Sequence, residues 1–265
     1  MGDRYSLDEI REFWKRQAIE HGQSPAASWS DRIVIELEIR EIVEHLADGD
    51  RVLDVGCANG YSTMQFASQR RIHIRGVDCV PEMIEQACLR LRGQEEGLLG
   101  SVEFEVGDVS RLDEPTDSYD KVIVVRVLIN LAEKSRQEKG LSECIRVLKP
   151  GGVLLLSEAT VQGWERLNRF RREWHLPDIP MPPHNLYLDQ EALIQAASPH
   201  LQLLEVRDFA STYYVGTRVL KPLLIEALGS DVDVADPNMD WNRWFGQLPA
   251  WGDYGTQKLL VFRKR

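Results

Sequence analysis

Residues that could bind a nucleotide-like ligand stand close together in the stretch VLDVGCANGYSTM (52–64). They are Asp54, Gly56, Ala58 and Gly60. The stretch starts as an apolar strand and ends as a helix start, so these residues fall on the turn between them. Small residues let a ligand lie against the backbone, and a helix N-terminus offers free N–H groups. Asp78 ends the next apolar strand, where a carboxylate can accept both hydroxyls of a ribose.

Two details argue against a dinucleotide as the ligand. The dinucleotide fingerprint G-x-G-x-x-G/A, counted from Gly56, requires Gly or Ala at position 61, and this chain has Tyr61. Asp54 also precedes the first glycine, where an acid would repel a pyrophosphate but would attract an ammonium group. S-adenosylmethionine carries an amine, a carboxylate and a sulfonium but no phosphate, so it fits this turn better.

The chain resembles the class I S-adenosylmethionine-dependent methyltransferases over about residues 50–160. The matching motifs occur in order: VLDVGCANG (52–60), VDCVPEMI (77–84), EVGDVSRL (105–112), YDKVIVVRVLINL (119–131) and LKPGGVLLLSE (148–158). Ala58 stands where many members have glycine. The resemblance implies S-adenosyl-L-methionine as the cofactor.

The resemblance also implies a role for each matching residue. Asp54 and Gly56 would lie near the methionine moiety, on a loop that includes Cys57, Ala58 and Gly60. Asp78 would hold the ribose. The adenine would lie between Cys79 and Met83, with its edge at Asp108 and Val109, and Arg126 would line the cofactor opposite the loop. Taken one at a time, Gly60 also fits a plain turn, and Cys79 and Met83 also fit a core.

Strands and helices alternate along the middle of the chain. Strands are expected at 51–55, 72–78, 102–106, 119–125 and 152–158, with helices near 60–70, 81–92 and 134–148. This alternation predicts an α/β fold with a mostly parallel sheet covered by helices on both faces. Two late strands, 201–209 and 257–262, suit the family's Rossmann-like seven-stranded sheet of order 3-2-1-4-5-7-6, with strand seven antiparallel.

The remaining segments are expected to surround this sheet. Helices at 7–21 and 30–46, the second capped by Ser30, predict an N-terminal helical cap over 1–48. We expect this cap to act as a lid that brings Trp29 to the cofactor. The methyltransferase domain would span 49–265, with substrate-covering insertions after strands five and six, at about 160–195 and 210–256. The Pro-rich stretch 177–188 cannot form a regular helix, whereas 218–229 is expected to be helical.

An oxygen or ammonium acceptor must lose a proton during methyl transfer, so a basic side chain near the methyl group is useful. The candidates are His184, Glu158 and His175. We rank His184 first because an imidazole in an irregular Pro-rich loop is less often a core residue. Glu158 ends strand five, and His175 fits a helix cap equally well. The four cysteines show no metal-ligand spacing, so no metal is expected.

Charge and composition restrict the partners. The net charge of −10 and the pI near 5.2 disfavour nucleic acid, and we interpret the basic run Arg166–Arg172 as a solvated helix face. A polar start and the absence of a long apolar run predict a cytoplasmic protein that does not enter a membrane. All seven tryptophans lie outside the cofactor core, which favours a small-molecule substrate. A homodimer is left open.

The sequence therefore predicts methyl transfer from S-adenosylmethionine to an O or N atom of a small molecule, such as a sugar, an aminosugar or another secondary metabolite. One alternative is a non-catalytic S-adenosylmethionine binder, or a family member that uses the cofactor for different chemistry. A further reading, an NAD-dependent oxidoreductase, requires nicotinamide binding and disagrees with Asp54 and Tyr61.

Overall fold

The structure, a computed structural model, describes residues 4–229, 231 and 233–265, and for Glu95 the backbone alone. One seven-stranded sheet organises these residues. Its strands are β1 (Arg51–Val55), β2 (His73–Asp78), β3 (Ser101–Val106), β4 (Tyr119–Val125), β5 (Leu148–Ala159), β6 (Leu201–Arg207) and β7 (Gln257–Lys264). The order is β3-β2-β1-β4-β5-β7-β6, and only β7 runs antiparallel to its neighbours. The predicted strand order and direction are confirmed.

Ten α-helices are described. They are α1 (Leu7–His21), α2 (Arg32–Val43), α3 (Tyr61–Gln69), α4 (Pro81–Gln94), α5 (Lys134–Val147), α6 (Val161–Glu173), α7 (Gln190–Ala197), α8 (Ser211–Val215), α9 (Lys221–Ala227) and α10 (Asp240–Phe245). Short 3₁₀ turns lie at Pro25–Ala27, Glu95–Gly97 and Leu128–Asn130, and a π-helical turn at Gly216–Leu220 joins α8 to α9. None of the described helices is long and apolar enough to cross a membrane.

Apolar residues cover both faces of the sheet because successive strand residues point to opposite sides. Val52 and Ile123 pack into one core, together with the apolar face of α2, whereas Leu53 and Val122 pack into the other. Burial on both faces is what a mostly parallel sheet requires. Since α2 belongs to the first core, no break in the core marks residue 48, and the division of the chain there stays a prediction.

Some predicted boundaries are wrong. Asp31, not Ser30, caps α2, because its carboxylate accepts from the Val34 N–H. β6 ends at Arg207, since the Asp208 carboxylate accepts from the Gly255 N–H and from Lys258. The helix expected at 218–229 already begins at Ser211 and ends at Ala227 as α8, the π-helical turn and α9.

The basic run is also not a fully solvated face. Arg171 is buried and donates to the carbonyl oxygens of Pro177 and Arg218, while Arg169 on the same helix is exposed. The irregular conformation expected over 177–188 is observed.

The first helix lies over the carboxyl ends of β1 and β2. α1 begins with a capping box, in which Ser6 accepts from the Glu9 N–H and the Glu9 carboxylate accepts from the Ser6 N–H. Its buried Ala18 packs with Val80 and Met83. This contact closes one side of a cavity at the edge of the sheet.

Candidate active site

A cavity of about 540 Å³ lies at the carboxyl edge of the parallel strands, where ligands bind in open α/β sheets. Twelve of the residues singled out in the sequence line it: Trp29, Asp54, Gly56, Cys57, Ala58, Asp78, Cys79, Met83, Asp108, Val109, Arg126 and His184. Gly60, Glu158 and His175 do not belong to its lining. The loops after β1, β2 and β4 form one wall, and α1 with the 177–188 segment forms the other.

The loop after β1 owes its shape to backbone conformation. Gly56 and Gly60 have φ values of 76° and 72°, in the left-handed region that glycine favours. A side chain at Gly56 would overlap Val127, and a Cβ at Gly60 would lie 2.5 Å from Phe104. Gly60 is therefore required by packing behind the loop, and the cofactor contact expected for it is not supported. Ala58 also has a positive φ, 47°, which is strained for a residue with a side chain.

Asp54 lies at the base of this loop and is 3% exposed. The Thr63 hydroxyl donates to its carboxylate at 2.6 Å. Burial raises the pKa of Asp54 to about 7, although the hydrogen bond from Thr63 opposes the shift. A positively charged ligand group beside this carboxylate would favour its ionised form, which suits the ammonium of an amino acid.

Asp78 ends β2 and is oriented by the backbone. Its two carboxylate oxygens accept from the Ala58 N–H at 3.0 Å and the Val80 N–H at 2.9 Å. Each oxygen keeps a second lone pair, and the residue lines the cavity. Burial raises its pKa to about 6 against these two hydrogen bonds. A fixed, bidentate acceptor of this kind fits the two hydroxyls of a ribose.

Asp108 stands at the far end of the cavity. It accepts from the Ser110 N–H and hydroxyl at 2.8 and 2.7 Å and pairs with Arg11 at 2.7 Å. Burial acts to raise the pKa of Asp108, but these hydrogen bonds and Arg11 outweigh it and hold the pKa below 3.8. Met83 and Val109 supply an apolar wall nearby. An ionised acceptor beside an apolar wall fits the amino group and the face of adenine.

Arg126 follows β4 with a φ of 55°. Its guanidinium forms an ion pair with the buried Glu38 and lies over the Trp29 ring, 5.0 Å from the ring centroid. The ion pair and the contact with the indole hold this cation at the cavity wall. Trp29 thereby lies in the cavity wall, and its contact with the cofactor stays a prediction.

His184 is the candidate base that the structure places in the cavity. Its ring stacks on Phe13 with centroids 4.3 Å apart, and the hydrogen bond from the Leu186 N–H to the Ile129 carbonyl at 2.7 Å anchors its loop. Burial lowers the pKa of His184 below 6.5. Its imidazole is thus held neutral near pH 7 and can accept a proton.

The other two candidate bases occupy different environments. Glu158 is fully buried, and its carboxylate accepts from the N–H groups of Val127 and Leu128 at 2.8 and 2.7 Å and of Ile129 at 3.4 Å. Burial raises its pKa to about 8. It stabilises the turn after β4. His175 is exposed after α6, with a φ of 56°. The catalytic roles expected for Glu158 and His175 do not agree with these positions.

Sequence reasoning missed several residues of the cavity wall, among them Arg11, Phe13 and Arg218. The sequence pattern predicts a helix over 7–21, but nothing in the pattern indicates which strands Arg11 and Phe13 lie against. Arg218 lies on the π-helical turn, which has no recognised sequence signal, although such turns often occur at functional sites. No group of three or more His, Cys, Asp or Glu among the described residues is arranged to hold a metal ion.

Comparisons with known proteins agree with this geometry. A family model described as a methyltransferase domain matches residues 52–152. The chain is 28% identical to methyltransferase GfsG of Streptomyces halstedii over 86% of this chain and 79% of the relative. It is 28% identical to the O-methyltransferase rstn1 of Aspergillus nomiae over 66% of this chain and 77% of the relative. The crystal structure of the [4+2]-cyclase SpnF shares the fold, with a TM-score of 0.55 and 23% identity over 86% of this chain and 81% of that one.

The matched domain begins in β1, beside Asp54, and ends within β5, so it coincides with the strands whose carboxyl ends build the cavity. The relatives extend the similarity across most of the chain. Residues 52–152 therefore form a methyltransferase domain on the fold of the class I S-adenosylmethionine-dependent methyltransferases, and S-adenosyl-L-methionine is the cofactor that this domain implies.

Proposed function

We propose that the enzyme methylates an oxygen or nitrogen atom of a small secondary metabolite, with His184 as the general base. The observation that carries this proposal is one cavity lined both by three acids and by an imidazole that burial keeps neutral among aromatic rings. The name of the O-methyltransferase rstn1 supports an oxygen acceptor.

Three carboxylates would position the cofactor. Asp54 would bind the ammonium of the methionine moiety, Asp78 the ribose hydroxyls and Asp108 the adenine amino group. When bound, the cofactor would supply a methyl group on a sulfonium sulfur, whose carbon–sulfur bond would break as the acceptor's lone pair bonds to the carbon, leaving S-adenosylhomocysteine. The task of the protein is then to hold the acceptor in line and to remove its proton.

His184 is suited to removing that proton because it is neutral and oriented. Stacking on Phe13 and edge contact with Trp14, with ring centroids 5.6 Å apart, restrict the imidazole. Both rings belong to α1, so the helix that covers the cavity also fixes the base. The proton of an acceptor hydroxyl would pass to the imidazole nitrogen, leaving a cationic histidine that bulk solvent later deprotonates.

Aromatic and aliphatic side chains would form the acceptor's surroundings. Trp164, Tyr187, Tyr214 and Leu167 line the cavity. The Trp164 indole N–H donates to the Ile179 carbonyl at 2.8 Å, which fixes the ring. Rigid apolar walls with few polar groups are typical of sites for small organic ligands.

Release of S-adenosylhomocysteine is the test. Purified protein is incubated with S-adenosylmethionine and a panel of hydroxy, amino and sugar acceptors, and product mass is measured in parallel. The proposal expects stoichiometric product, heavier by one CH₂, with at least one small acceptor. Asp78→Ala should abolish cofactor binding, whereas the matched surface change Asp113→Ala should not. Cofactor binding without turnover for any acceptor would favour a non-catalytic binder or a member with different chemistry.

A further inference from the structure

Two arginines line the cavity together with its three acids. Among the described residues, the acids of the lining are Asp54, Asp78 and Asp108, all at the expected cofactor positions. Arg126 and Arg218 also line the cavity, and their side chains are 14% and 27% exposed. Arg126 is expected to line the cofactor, whereas Arg218 lies on the π-helical turn, outside the cofactor motifs, so Arg218 is the cation available to the acceptor.

One helix supports both guanidiniums from behind. Asp31, the cap of α2, pairs with Arg218 at 2.7 Å, and Glu38 of the same helix pairs with Arg126. The two acids are 2% and 1% exposed and do not line the cavity. Seven residues make about two helical turns, so both acids lie on one face, about 10 Å apart along the axis. The acids therefore orient the arginines without occupying the cavity.

Aromatic rings restrict the planes of both guanidiniums. Arg126 lies over the Trp29 ring, and Arg218 lies 5.6 Å from the ring centroid of Tyr214. The Asp31 carboxylate also accepts from the Tyr213 hydroxyl at 2.7 Å, so it is shared among Arg218, Tyr213 and the Val34 N–H. The fixed arginines keep N–H donors that the ion pairs do not use, since a guanidinium has five.

A third arginine, Arg171, adds positive charge beside Arg218 and forms no ion pair among the described residues. Arg171 is 7% exposed next to Arg218, and its recorded acceptors are two backbone carbonyls. Arg218 and Arg126 each pair with one buried acid, whereas the acceptors of Arg171 are carbonyl oxygens. Arg136 adds a further lining cation, half exposed and 3.9 Å from Glu133. A ligand oxyanion would compensate the excess positive charge and accept from the free N–H groups.

We propose that Arg218, assisted by Arg126, binds a carboxylate of the methyl acceptor, and that the enzyme selects hydroxylated aromatic carboxylic acids over their neutral analogues. The carboxylate meets the guanidiniums, while the ring of the acceptor packs between Trp164 and Tyr214. This inference rests on the proposed function, because it names the class of molecule that occupies the acceptor part of the same cavity.

The test compares hydroxylated benzoic and naphthoic acids with their methyl esters. The wild-type enzyme should turn over at least one acid with a kcat/KM roughly 10- to 100-fold above that of its ester, the range expected for hydrogen bonds to a charged group. Arg218→Gln should remove this difference by raising KM for the acid, while KM for the ester and the Kd of S-adenosylmethionine stay unchanged. Arg218→Lys should restore part of the preference.

Two controls separate binding from folding. Asp31→Asn/Arg218→Gln avoids an unpaired buried carboxylate and should show the same loss of preference with a normal melting temperature. Arg169→Gln, an exposed arginine of α6, should behave as the wild type. Equal kcat/KM for acid and ester in the wild type, or an equal response of both to Arg218→Gln, would overturn the inference.

Direct titration makes the result independent of turnover. Acid and ester are each titrated calorimetrically into the complex with S-adenosylhomocysteine. Arg218-dependent binding of the acid without any methylation would support this inference and contradict the proposed function. Methylation of neutral acceptors alone, with no binding of any acid, would support the proposed function and contradict this inference.

Discussion

Arg11 and Asp108 form an ion pair of 2.7 Å although 97 positions separate them in the sequence. The pair joins α1 to the loop after β3, at the end of the cavity expected to hold adenine. Two residues further along α1, Phe13 stacks on His184, and the next residue, Trp14, donates to Asn130 at 3.3 Å. One helix thus contacts the adenine end, the turn after β4 and the loop of the candidate base, so cofactor binding and acceptor positioning depend on the same element.

Arg11→Gln should weaken cofactor binding more than it destabilises the fold. The pair is exposed, so its loss should lower the free energy of unfolding by less than about 1 kcal/mol, yet α1 would be held less firmly over the cofactor. We expect the Kd of S-adenosylmethionine to rise roughly 3- to 10-fold at low salt, and less at 1 M salt because the pair is screened. Calorimetry at both salt concentrations measures this. Arg16→Gln, an exposed arginine of the same helix, is the control; similar affinities of the two variants would show that the pair does not hold the lid.

Asp54→Asn should separate stability from binding. The pKa of Asp54 is raised to about 7 in the folded protein from an ordinary value of 3.8, so its contribution to stability is fully present below pH 3.8 and is lost as pH rises through 7. Asparagine does not ionise, so the variant does not lose this stability as pH rises. Without cofactor it should therefore be at least as stable as the wild type at pH 8, with an advantage that grows between pH 4 and pH 7. Chemical denaturation across this range measures it.

Cofactor affinity should respond to Asp54 in the opposite direction. The ammonium group favours the ionised carboxylate, so wild-type affinity should rise from pH 6 to pH 7.5, by at most about tenfold per unit. Asp54→Asn should bind S-adenosylmethionine roughly 10- to 100-fold more weakly than the wild type at pH 7.5. Its affinity should not rise between pH 6 and pH 7.5, and only the pH dependence below pH 6 that Asp78 contributes should remain. An unchanged pH profile in the variant would remove Asp54 from the ammonium site.

Much of this site follows from local sequence patterns, and the remainder depends on distant contacts. Asp54 and Asp78 end adjacent parallel strands, so the β–α alternation already brings them to one edge. Glu158 also ends a strand, and the same pattern suggested a catalytic acid. Its carboxylate instead accepts from three N–H groups some thirty residues earlier, a requirement that only the folded turn after β4 reveals. The Arg218–Asp31 pair likewise joins segments 187 positions apart, and neither segment indicates the other.

Ala58→Gly should stabilise the protein. Ala58 has a φ of 47°, and a left-handed conformation costs roughly 1–2 kcal/mol for a residue with a side chain. Glycine removes this cost but gives the unfolded chain more freedom, so the net gain should be about 0.5–1 kcal/mol. Ala67→Gly, in the interior of α3, should lower stability by about 1 kcal/mol or more. Thermal denaturation compares the two variants, and a destabilised Ala58→Gly would mean that its methyl group makes contacts worth more than the strain.

His184→Gln should lower kcat by roughly 10²- to 10⁴-fold with little change in KM, because the general base is lost while the binding surfaces remain. The pKa of His184 is lowered by burial from 6.5, so the neutral, active form persists into mildly acidic solution. The acidic limb of the wild-type kcat profile should therefore have its midpoint below pH 6.5, and it should be absent from the residual activity of the variant. His175→Asn suits the positive φ of that position and changes an exposed residue outside the cavity, so its kcat and pH profile should match the wild type. A normal kcat in His184→Gln, or a loss of activity confined to His175→Asn, would assign proton removal to a different group.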